Sequence, residues 1–152
     1  MKKLISLAII AISLAMASNV SAEITHRTGD VVIGTAQLTA QDHAVTLATL
    51  APSPKGIVYL AAETTSGITV YATVTASYRL VSSGVTGSAS PASTVYYIHS
   101  SSSGYDDSPL RFTTGHDYNN VGNTYWTFTI NCGSLQAGAV VNIECYYNSA
   151  DN

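Results

Sequence analysis

Two short stretches gather most of the side chains in this chain that could hold a ligand. They are Ser103-Gly104-Tyr105-Asp106-Asp107-Ser108 and Gly115-His116-Asp117-Tyr118-Asn119-Asn120. Asp106, Asp107, Asp117 and Asn119 carry hard oxygens, of which a calcium ion takes about six to eight. Tyr105 and Tyr118 offer ring faces to a sugar, with His116 beside them. The run Leu110–Thr114 lies between the two stretches, so they share a ligand only if they meet at one end of the domain. Their spacing matches no EF-hand loop, and Asp, Asn and Gly are also ordinary turn residues. No metal and no cofactor is expected, and calcium is the one ion these loops would suit.

Covalent chemistry has less to work with. His26, His43, His99 and His116 are scattered, with no His-x-x-x-His pair. A serine nucleophile needs a base and an orienting acid, and no Gly-x-Ser-x-Gly turn occurs. Carboxylates for glycoside cleavage would have to come from Asp106, Asp107 or Asp117, and adjacent aspartates on a strand point apart. No enzyme is expected. Cys132 and Cys145 are the only cysteines, with no histidine at zinc-site spacing.

The elements that must position these residues read as strands. In Ile68–Leu80, Ile68, Val70, Ala72, Val74, Ala76, Tyr78 and Leu80 share one phase, and Thr69, Tyr71, Thr73, Thr75, Ser77 and Arg79 the other. A period of two over this length, rich in β-branched and aromatic residues, predicts a strand with one wet face. Shorter strands are expected over Val31–Thr39, Ala44–Leu50, Gly56–Glu63, Thr94–Ser100, Leu110–Thr114, Tyr125–Cys132 and Ala139–Tyr147. Gly56–Glu63 is apolar on both phases, as a central strand covered on both sides would be. Ser82–Ser93 (SSGVTGSASPAS) reads as a flexible connection. About eight short strands and no helical period predict an all-β domain, a two-sheet antiparallel β-sandwich. If the strands at 68–80 and 125–132 are neighbours, Tyr71, Thr73, Tyr125 and Thr127, with Tyr146, form an outward face of hydroxyls and rings. Charge-poor aromatic surface of that kind is enriched at interfaces.

The last two strands bear on the cysteines. In a tight hairpin across Gly133–Gly138, Cys145 would lie six residues from Cys132, roughly 20 Å away. A disulfide needs Cα atoms within about 7 Å. The pairing expected of an even count in an oxidising compartment therefore requires the segment to cross between sheets. One disulfide, Cys132–Cys145, stapling the two sheets is the expectation. The segment Thr127–Tyr147 (TFTINCGSLQAGAVVNIECYY) resembles the closing strands of bacterial immunoglobulin-like domains, through Leu135-Gln136-Ala137-Gly138 followed by Val140-Val141. That resemblance implies an immunoglobulin-like sandwich and no activity.

Export is written at the start of the chain. Lys2 and Lys3 precede an apolar stretch from Leu4 to Met16, and Val20-Ser21-Ala22 supplies small residues for cleavage. This predicts a bacterial secretory signal over residues 1–22 and a single domain over 23–152, periplasmic or secreted. Six Lys and Arg less Lys2 and Lys3 leave four cations against nine acids, a net of −5. Four scattered cations exclude a phosphate-tracking stripe, so nucleic acid is not an expected partner. No second apolar stretch is long enough to span a bilayer as a helix. The leading expectation is a binding protein that works by surface contact, adhesin-like, with a glycan, a protein or a second copy of itself as partner. A fimbrial subunit is the second expectation, although Glu23–Gly29 alternates poorly for a donor strand. A small toxin component or hydrolase inhibitor is the third.

Overall fold

A computed structural model describes residues 24–64, 69–99, 109–115 and 122–152. It holds eight strands: β1 (Asp30–Thr39), β2 (Ala44–Pro52), β3 (Ile57–Thr64), β4 (Val70–Leu80), β5 (Thr86–Ile98), β6 (Leu110–Thr113), β7 (Asn123–Asn131) and β8 (Val140–Asn148). No described residue is helical. The β4 alternation appears as read: Val70, Ala72, Val74, Ala76, Tyr78 and Leu80 are buried and the residues between them exposed. β7 repeats the pattern with Thr124, Trp126, Phe128 and Ile130 inside. β3 is buried on both phases from Val58 onward.

The strands do not form two separate sheets. They form one antiparallel sheet in the order β1-β8-β3-β6-β5-β4-β7-β2, wound back on itself so that it nearly closes as a barrel. The expected two-sheet sandwich is corrected here, and β5 is the physical reason. This strand keeps register with β4 through Thr86–Ser88 and Ser93–Ile98, and sets the four residues Ala89–Ala92 against the single Ala76 of β4. Within that excursion Ser90 pairs with Thr113 of β6, which joins the two halves of the sheet. Periodicity tells inside from outside but not which strand continues the sheet. The end strands β1 and β2 approach without a ladder. Thr49 Oγ1 donates to the Ile33 carbonyl, and a side chain at Gly34 would press on Leu47 and Thr49 at 3.2–3.4 Å.

Side chains fill the interior. Phe112 and Phe128 meet edge to face across the barrel at 5.2 Å, and Trp126 stacks beside Phe128 at 6.1 Å. All three are fully buried, each worth about 1.5–3 kcal/mol in transfer free energy. The first half of β5 departs from the expected flexible connection. Gly87 lies directly across from Tyr78, whose ring occupies the space where a β-carbon at 87 would stand. A poor strand sequence is thus held in the sheet by the packing of its neighbour.

The expected disulfide is also corrected: Cys132 and Cys145 are both buried free thiols. β7 and β8 do not pair as a hairpin, but they lie in one continuous sheet rather than in two opposed ones. Position along the barrel separates the cysteines. Cys132 follows Asn131, which faces Ala44 beside the β1–β2 turn, and its N–H bonds the His43 carbonyl. Val140 faces Thr39 at that same end, whereas Cys145 faces Leu60 and Gly34 farther along. Five residues of strand amount to roughly 17 Å, beyond the reach of a sulfur bridge. Burial pushes the Cys132 thiol up to about 11 and the Cys145 thiol up to about 12.

Candidate functional site

Alternation in β5, β4, β7 and β2 leaves the outward residues of four adjacent strands in cross-strand rows. One row runs Thr86, Arg79, Tyr125, Leu50 and the next Ser88, Ser77, Thr127, Ala48. Then come Ser93, Thr75, Thr129, Thr46, and Val95, Thr73, Asn131, Ala44. Tyr71 and Tyr97 close one corner, paired across β4 and β5. Threonine, serine and alanine populate these rows because β-branched and small polar residues suit an exposed pleat. Arg79 is the single charged side chain among them.

The large side chains stand at the margins. Tyr71 and Tyr97 meet edge to face at 5.0 Å while remaining 59% and 55% exposed. Val95 beside them is exposed as well. At the other end the Arg79 guanidinium lies 4.7 Å from the centre of the Tyr125 ring, a cation–π contact. Arg79 makes no ion pair with a described carboxylate. Between the taller Arg79–Tyr125 row and the small residues of the next lies an open groove of ≈ 620 Å³. Ala48, Ser77, Arg79, Thr86, Ser88 and Thr127 line it.

Of the residues expected on an interaction face, Tyr71, Thr73, Tyr125 and Thr127 share this surface. Tyr146 does not. It lies on β8, buried with Tyr59 and Ala61 on the outside of the other half of the barrel. The chain before β1 covers that side. Ile24 packs on Tyr59, Ala61 and Tyr146, and the His26 ring meets Tyr146 edge to face at 5.1 Å. His26 Nε2 lies 2.6 Å from Glu144 Oε2. Arg27 donates to Asp151 at 2.8 Å, as does the Tyr59 hydroxyl at 2.5 Å. Those two contacts hold the Asp151 carboxyl below its usual range. Burial pushes the Tyr146 phenol up to about 12. The last residues complete this clasp: Asn148 Nδ2 donates to Thr28 O and Asp30 Oδ1, and Asn152 Nδ2 to Ile57 O.

The loop candidates Tyr105, Asp106, Asp107, His116, Asp117, Tyr118 and Asn119 lie outside the described residues, as does the signal segment. Among the described residues no group of three or more His, Cys, Asp or Glu side chains could hold a metal ion. No helix there is long and apolar enough to cross a membrane. Sequence reasoning missed Tyr97, Val95, Leu50 and the groove. Tyr96 and Tyr97 are adjacent, and only the β4 pairing reveals that Tyr96 turns inward and Tyr97 outward. Arg79 was visible as a wet-face residue, but nothing in its spacing gave it the Tyr125 neighbour. In comparisons with protein-family models, curated proteins and solved structures, nothing matches this chain.

Proposed function

We propose that this is an exported bacterial binding protein, adhesin-like, that works through the outer face of β5, β4, β7 and β2. The observation that carries this reading is that face itself: four successive rows across four strands, extended by the Tyr71–Tyr97 pair, with one charge, many hydroxyls and aromatic corners. A surface with so little charge loses little solvation when covered, and exposed tyrosines supply rigid contact area at low entropic cost. On the opposite side of the barrel the outward patch of Tyr59, Ala61 and Tyr146 is already covered by Ile24 and His26. An N-terminal secretory signal and a net negative charge fit a life outside the cytoplasm, away from nucleic acid.

The test is glycan-array binding of the exported protein together with its size-exclusion profile. Binding to a glycan or host-surface protein, or self-association, supports the reading; a strict monomer that touches neither contradicts it. A fimbrial subunit would instead give SDS-resistant ladders, and a toxin component would empty liposomes.

A further inference from the structure

We propose that the groove beside Arg79 takes a carboxylate-bearing sugar residue, the acid forked by the Arg79 guanidinium and the ring hydroxyls met by Ser77, Thr86, Ser88 and Thr127. The proposal rests on the reading of this face as a contact surface, and names the ligand class for one part of it.

Position comes first. Arg79 is flanked across the sheet by Thr86 on β5 and Tyr125 on β7, and Ser77, one step along β4, is flanked by Ser88 and Thr127. Outward side chains two apart on a strand are separated by roughly 7 Å, and neighbouring strands by about 4.8 Å. Two rows across four strands thus span about 14 Å by 7 Å, room for one or two pyranose rings. The floor is made of small side chains, Ser88, Ser77, Thr127 and Ala48, and the wall of Arg79 and Tyr125. That difference in height is what makes a groove out of a flat sheet.

Chemistry then selects the occupant. With its Cζ 4.7 Å over the centre of the Tyr125 ring and no ion pair to a described carboxylate, the guanidinium keeps N–H groups for a planar anion. A carboxylate matches that fork with two parallel hydrogen bonds. A phosphate dianion asks for a second cation or a cluster of backbone N–H groups, and among the described residues no other charged side chain stands in these rows. The four hydroxyls each donate and accept, as a polyol requires. Ala48, on the groove floor, offers a methyl group to the C–H side of a ring. The overall negative charge of the domain opposes long-range attraction of an anion, so recognition depends on these short contacts.

Amide chemical shifts of the ¹⁵N-labelled exported domain test this with four probes: methyl galacturonate, methyl α-sialoside, neutral methyl galactoside and N-acetyl-aspartate amide. The expected result is saturable shifts at Ser77, Arg79, Thr86, Ser88, Tyr125 and Thr127 with an acidic sugar. The neutral galactoside should bind at least about tenfold more weakly, the size of one charge-assisted hydrogen bond. Whichever of uronate and sialate saturates at the lower concentration identifies the source. Arg79→Gln should cost about tenfold or more, and Arg79→Lys, which keeps charge without the fork, should recover only part. Four outcomes overturn the proposal: equal binding of the neutral sugar, equal binding of the aspartate amide, shifts confined to other residues, or none at saturating acidic sugar. The broader reading fails separately, when Thr129→Lys, two rows from Arg79, leaves binding to surface material unchanged.

Discussion

Replacing Gly87 with alanine should destabilise the domain, against the usual trend for a glycine in a strand. Gly87 is absent from the positions with left-handed φ, so alanine fits the backbone, and lower chain entropy in the unfolded state favours it by about 0.4–1 kcal/mol. The new β-carbon, however, would stand 2.7 Å from Tyr78 Oη and 2.8 Å from its Cζ. Tyr78 is buried and packs on Trp126 with ring centres 5.9 Å apart, so its ring has little room to yield. Overpacking of this kind costs about 1–3 kcal/mol, which leaves a net loss of about 1–2 kcal/mol. Urea unfolding followed by the fluorescence of Trp126, the sole tryptophan, reads that loss directly. In a Tyr78→Leu background, where the obstructing atoms are gone, the same alanine should be neutral or stabilising. A midpoint for Gly87→Ala at or above wild type, or full additivity with Tyr78→Leu, refutes the packing account of β5.

Other expectations follow from the same packing and electrostatics. Protein purified from an oxidising compartment should release two titratable thiols in denaturant, and burial should keep both slow toward thiol reagents at pH 8 while folded. A mass two hydrogens lower contradicts that. The Asp151 carboxyl, held low by Tyr59 and Arg27, contributes stability above the unfolded value of 3.8 that is lost as pH falls through its folded value. Asp151→Asn should therefore flatten the acid limb of the stability profile below about pH 4, measured by urea midpoints across pH. Phe112→Ala removes a fully buried ring that meets Phe128 and should cost about 3–5 kcal/mol by the same assay.

Much of this fold was legible in the residues. The β4 alternation from Val70 to Leu80 and the doubly apolar β3 carry their burial openly, because a side-chain period of two maps directly onto inside and outside. Closure into a near-barrel was not legible, because it depends on the four residues Ala89–Ala92 of β5 set against Ala76 and a single pairing with Thr113. The thiols misled for a related reason: their even count and apolar phases say nothing of how far apart along the barrel they stand. Tyr146 and Tyr147 sit on opposite phases, and only the overlying Ile24 and His26 explain why the outward one is buried. For the site, adjacency of β4 and β7 was a condition the sequence pattern could pose but not answer. Leu50, Val95 and Tyr97 join the face only through registers with strands distant in the chain.

One paired measurement bears most directly on the contact-face account: binding of Thr75→Lys and Thr35→Lys to the same immobilised glycan or cell-surface material as wild type. Both residues are exposed on strands, so neither change should alter folding by more than about 0.5 kcal/mol. Thr75 lies in the middle of the uncharged rows, between Ser93 and Thr129, whereas Thr35 lies on β1, outside them. The account predicts that Thr75→Lys loses binding about tenfold or more while Thr35→Lys retains it. Equal retention by both, or loss only with Thr35→Lys, contradicts it.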